Sequence, residues 1–88
     1  MKYLMLYETD PASLPKAATH VAAHRARLDE FHARGLLLMA GPLVDPTDQA
    51  LGVFVSREAA DEFIAGDPFV QNGVVTKWTV REWNEVLT

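Results

Sequence analysis

Two stretches, Tyr3-Leu4-Met5-Leu6-Tyr7 and Leu36-Leu37-Leu38-Met39-Ala40, offer no polar face, so a strand built on either is apolar on both sides. A chain of 88 residues supplies one core and one layer of helices, enough to cover one face of a sheet. The other face would then meet water as a contiguous apolar patch, which soluble monomers rarely tolerate. The expectation is a homodimer packed sheet to sheet. Association also suits a domain whose small size leaves a thin margin of stability. The absence of cysteine excludes disulfides and thiolate metal sites.

The rest of the chain punctuates itself. Lys2–Glu8 reads as a strand that ends before the turn signal Thr9-Asp10-Pro11. A long helix is expected from Ser13 or Pro15 to Arg34, stopped by Gly35. Leu36–Leu43 is a second strand, Val44–Gln49 a turn, and Ala50–Ser56 a third strand. Ser56 caps a second helix running to about Ala65, with Glu58 and Asp61 near its positive end. Gly66-Asp67-Pro68 stops that helix, and Val74–Trp83 alternates as a fourth strand. The order β-α-β-β-α-β predicts an α+β, ferredoxin-like fold over residues 1–88. It implies a four-stranded antiparallel sheet with helices on one face. Trp78 and Trp83 are expected against the helices or at the dimer contact.

Charge narrows the partners. A net charge of −4 with no basic face argues against nucleic acid. The longest apolar run, Leu36–Ala40, is too short to cross a bilayer. The opening MKYLMLYETD lacks the length and cleavage site of a signal peptide. The expectation is a cytoplasmic protein whose partners are a small molecule and a second copy of itself.

One residue breaks the pattern. Ala17, Val21, Leu28, Phe31 and Gly35 fall on one side of the long helix, and His24 lies near the centre of that stripe. His20 and His32 sit on its edges, whereas Arg25, Asp29 and Glu30 point away. An inward histidine is either a core ring satisfied by a carbonyl or a group for moving protons near neutral pH. His20 and His24 share the spacing of the zinc motif H-E-x-x-H, but Val21 stands where the glutamate belongs. With no third ligand evident, no metal is expected.

Topology gathers other segments near His24. The end of the first strand, the start of the long helix, Gly41-Pro42 and Asp67-Pro68-Phe69 should meet at one edge and form a pocket. Each piece also has a local role. Asp67 and Pro68 read as the cap and first position of a short helical turn through Gln71, and Phe69 as core.

At this point the chain resembles the YciI-like (YCII-related domain) family along nearly its whole length. The resemblance rests on Lys2–Tyr7, His24-Arg25-Ala26-Arg27-Leu28, Gly35 through Pro42, Asp67-Pro68-Phe69 and Gly73-Val74-Val75. It implies the dimeric α/β-barrel group and a histidine–aspartate dyad formed by His24 and Asp67. Gly41 and Pro42 match the wall of that site, with Pro68 and Phe69 beside the aspartate as further substrate contacts. Many relatives carry arginine one turn before the histidine, where this chain has Val21. The resemblance further implies cofactor-independent lyase or isomerase chemistry by proton transfer on a small cyclic or enolisable compound. A non-catalytic ligand-binding or regulatory dimer would use the same pocket, and a structural module would need His24 only as core.

Overall fold

The computed structural model describes all 88 residues, Met1–Thr88. Strand β1 (Lys2–Glu8) is followed by a 3₁₀ turn (Pro11–Lys16), helix α1 (Ala17–Ala33), β2 (Leu37–Pro42) and β3 (Gln49–Phe54). Helices α2 (Arg57–Gly66) and α3 (Pro68–Gln71) and strand β4 (Lys77–Trp83) complete the chain. The four strands form one sheet in the order β2-β3-β1-β4, and every neighbouring pair is antiparallel. The helices lie on one face of this sheet, the ferredoxin-like arrangement.

Period-two alternation divides β1 between two environments. Met5 and Tyr7 are buried under the helices with Phe31, Leu37, Phe54, Phe63 and Ile64. Leu4 and Leu6 point the other way and pair across β3 with Val53 and Leu51. Met39 joins them from β2, so the β2-β3-β1 part of this second face is apolar and uncovered by any helix, while Lys2, Thr79, Arg81 and Trp83 make up its β4 side. Trp78, opposite Tyr7, is on the helix side and sits beside Arg57, Asp61 and Ile64 of α2.

Two element starts and one strand register depart most from the expectation. Asp10 caps the 3₁₀ turn by accepting from the Ala12 N–H at 3.0 Å. Pro11 and Pro15, which lack amide hydrogens, keep this segment out of α-helix until Ala17. Val74 and Val75 do not enter β4, because both amides donate to the Phe69 carbonyl at 2.9 Å. Both side chains are buried. The β2 ladder slips between Leu37 and Met39, a bulge that periodicity alone did not foretell.

Two contacts fix the helices that carry the site. Gly35 adopts φ +76° and ends α1 with Leu36 N–H on the Phe31 carbonyl and its own N–H on the His32 carbonyl, both at 3.0 Å. From the middle of α1, Arg27 donates to the carbonyls of Phe63 (3.0 Å) and Glu62 (2.7 Å), near the C-terminus of α2. The guanidinium lies over the Phe31 ring and passes so close to Gly66 that a Cβ there would collide with it. Asp67, the next residue, is therefore held at a fixed distance from α1.

Candidate active site

Helix α1 enters this region with His24 half-buried and aimed inward, one turn after Val21 and one before Leu28. Across from it, the chain leaves α2 at Gly66 and turns into α3. Asp67 is the N-cap of α3 and its Oδ1 accepts from the Phe69 N–H at 3.1 Å. The same Oδ1 accepts from His24 Nδ1–H at 2.7 Å. The other oxygen, Oδ2, accepts from the Tyr7 hydroxyl at 2.8 Å. Three donors from β1, α1 and α3 thus converge on one carboxylate, which is completely buried. A buried charge of this kind is tolerated only when paired and hydrogen-bonded.

The imidazole is fixed in a second direction. Phe69 stacks on it with ring centroids 3.8 Å apart and planes 5° from parallel, while Phe63 meets it edge-on at 6.4 Å. Donation from Nδ1 sets the tautomer, leaving Nε2 as the ring's acceptor, and Nε2 makes no hydrogen bond within the chain. The ring lines a cavity of about 360 Å³. Leu14, Val21, Leu28 and Phe69 give that cavity apolar walls, and Arg25, Thr9, Asp48 and Gln49 contribute polar groups.

Tyr7 is a fixture and not an acid. Burial pushes its phenol far above the ordinary value, and the charge of Asp67 and the hydrogen bond it donates push it in the same direction. The hydroxyl stays neutral and acts by holding Asp67 in place.

Residues 1–84 match the family described as YCII-related domain. The chain belongs to that family. It is 33% identical to Protein YciI of Escherichia coli O6:H1, over 99% of this chain and all of that one. Its fold is similar to that of 5-chloro-2-hydroxyhydroquinone dehydrochlorinase (TftG) from Burkholderia phenoliruptrix AC1100, solved with 2,5-dihydroxybenzoquinone. That match has a TM-score of 0.79 and 22% identity over 96% of this chain and 94% of that one. An antibiotic biosynthesis monooxygenase matches at TM-score 0.60 and 16% identity over 98% of each chain. At such identities the two structures establish the fold alone.

Not every residue expected at the site of this YCII-domain protein lies there. Pro42 and Phe69 line the cavity with His24. Gly41 does not, because strand alternation turns it from Pro42 toward the open sheet face beside Leu4 and Leu51. Pro68 is also off the wall. It starts α3, and its carbonyl accepts from the backbone and side-chain amides of Asn72 at 3.0 and 2.8 Å. His20 is half-buried but off the cavity, and His32 is occupied by the Leu37 carbonyl at 2.8 Å. The sequence brings the Tyr7 end of the first strand to the pocket without giving Tyr7 a role, and it does not place Asp48 there. Tyr7 looks like any inward strand aromatic, and only its buried hydroxyl signals a partner. Asp48 reads as one of several turn-forming residues between β2 and β3.

No group of three or more His, Asp or Glu side chains gathers to hold a metal ion. No helix is long and apolar enough to cross a membrane.

Proposed function

We propose that this YCII-domain protein is a cofactor-independent enzyme that moves a proton on a small cyclic or enolisable compound, with His24 as general acid and base. The observation that carries this reading is the pairing of His24 Nδ1 with the buried Asp67 while the ring borders a cavity. A cavity of about 360 Å³ lies at the small end of ligand sites, near 300–1,000 Å³. Nε2 takes a proton from an acidified C–H or O–H of the substrate, and the imidazolium formed is stabilised by Asp67. In a lyase the released electron pair becomes a double bond and the leaving group departs with its own pair. In an isomerase the imidazolium returns the proton to a different atom. The fold similarity to a dehydrochlorinase acting on a hydroxylated ring supports a substrate of this size and kind.

The working unit in this reading is a homodimer joined through the open sheet face of Leu4, Leu6, Leu51, Val53 and Met39, whose apolar surface calls for cover. Sedimentation at micromolar concentration should show a dimer, and a monomer would remove that part of the proposal.

The decisive measurement is proton NMR in D₂O over a panel of small cyclic enolisable compounds, with chloride release from 5-chloro-2-hydroxyhydroquinone beside it. Turnover by the wild-type chain should fall by about 10²–10⁴ in His24→Ala with the dimer intact. Full turnover by the variant would end the assignment. A ligand that binds without exchange or bond cleavage would leave the cavity as a binding site only.

A further inference from the structure

The cavity beside His24 opens to water through hydrocarbon. Leu14 of the 3₁₀ turn and Val21 of α1 both line it, yet they are 47% and 51% exposed. A side chain that borders a cavity and is also half in water stands where the cavity meets solvent. Lys16 and Thr19, polar neighbours in sequence, are off its wall. Ala17 joins Val21 on the same side of α1, followed by His24 and Leu28 at helical spacing. At a rise of about 1.5 Å per residue, Val21 stands about 4.5 Å along the helix axis from His24, and Ala17 about 10 Å. A strip of hydrocarbon thus runs from the imidazole to solvent. Its outer end is anchored, because the buried Ser13 donates its N–H to the Asp10 carbonyl at 2.7 Å and fixes the turn that carries Leu14. The strip belongs to the helix layer, so a dimer joined through the open sheet face leaves it uncovered. Exposed apolar surface continuous with a cavity is the mark of a ligand groove.

We infer that the ligand of this cavity carries a short, neutral hydrocarbon arm, which extends from the part held at His24 and lies on Val21, Ala17 and Leu14. The inference rests on reading the cavity as a substrate site, and it adds a feature of the substrate that His24 and Asp67 do not specify. A bare ring beside His24 leaves Leu14 and Val21 in water, whereas an alkyl arm removes them and itself from it. A hydroxylated or charged arm loses hydration on the same strip, where the three side chains offer neither donor nor acceptor. Arg25, the cation on the wall besides His24, follows it by one residue and so projects about 100° round the helix from it. Its guanidinium is engaged by Asp29 at 3.2 Å. Discrimination by such a strip is modest per carbon and grows with the length of the arm, the behaviour of a hydrophobic subsite.

The test uses the full chain and three probes: 4-methylcyclohexanone, 4-propylcyclohexanone and 4-(2-hydroxyethyl)cyclohexanone, the last matching the propyl arm in length. Titrations are followed by the His24 ring and Val21 methyl resonances. The wild-type chain should bind the propyl compound about fivefold or more tighter than the methyl one, with the hydroxyethyl compound within about twofold of the methyl. The double variant Leu14→Ser/Val21→Ser, at two half-exposed positions, should bring propyl and methyl within about twofold of each other. A propyl compound bound no tighter than the methyl, a hydroxyethyl compound bound as tightly as the propyl, an unchanged propyl preference in the variant, or no binding of any probe would each overturn the inference. So would a change from dimer to monomer in the variant, which would place Leu14 and Val21 at a contact between copies. Full turnover by His24→Ala together with the propyl preference would end proton transfer by His24 and leave the hydrocarbon strip standing. Loss of turnover in His24→Ala without any dependence on arm length would do the reverse.

Discussion

Asp67 and Asp48 are two aspartates at one cavity, and the chain treats them in opposite ways. Asp67 follows directly on α2 and is surrounded by donors that three separate elements supply: Tyr7, His24 and the Phe69 amide. Asp48 belongs to the connection between β2 and β3, where its Oδ1 is buried with nothing to receive. A fully satisfied carboxylate sets geometry, because its partners lose their freedom with it. An unsatisfied one carries a desolvation cost and fixes no partner. The α2–α3 junction thus reads as the scaffold of the site, and the β2–β3 connection as a part that does not share in it.

Substitutions at the two positions separate those roles. The largest effect is expected from Asp67→Ala, which strands two side-chain donors and one amide in the interior. Removing one member of a buried charged network costs about 3–5 kcal/mol, to be read from urea unfolding. A loss below about 1 kcal/mol, the worth of an ordinary hydrogen bond, would contradict the scaffold role.

Tyr7→Phe comes next, with about 1–3 kcal/mol lost because Asp67 Oδ2 is left unpaired. It also has a pH signature. The folded phenol has its pKa raised by burial and by Asp67, so the stability it lends is fully present below the unfolded value near 10. As pH climbs past that point the unfolded chain releases the proton while the folded one keeps it. Stability then falls by about 1.4 kcal/mol per pH unit, the linkage slope for one proton. Tyr7→Phe should lack this alkaline component. Parallel alkaline limbs for wild type and variant would show that the phenol is not held as described.

The smallest effect has the opposite sign. Asp48→Ala should stabilise the chain by roughly 1 kcal/mol, since it removes a buried oxygen that has no donor. In a domain of this size that corresponds to a melting point about 4–8 °C higher. A melting point that falls would mean that Asp48 has a partner and that the contrast with Asp67 is false.

What could be read in advance follows the same division between local and distant causes. Ser56 as the cap of α2, Asp67 as the cap of α3 and Gly35 as the stop of α1 all follow from residues within a few positions of one another. Helical periodicity likewise turned His24 inward. The diversion of Val74 and Val75 from β4 to the Phe69 carbonyl was not legible, because it depends on where α3 comes to rest. Gly41 and Pro68, expected on the wall, lie off this cavity for a related reason. Convergence of loops in a topology says which segments approach, and it does not say which side chains turn toward the space between them.

By itself, then, the sequence determined the order of strands and helices, the sheet with one face left apolar, and an imidazole on the inner side of α1, because backbone periodicity and capping act over a few residues. Only the tertiary structure decided that Tyr7 closes over Asp67 and that Asp48 is left without a donor. Those outcomes depend on ångström-scale placement of groups 60 residues apart in one case, and on the path of an irregular connection in the other. No local rule of the chain encodes either.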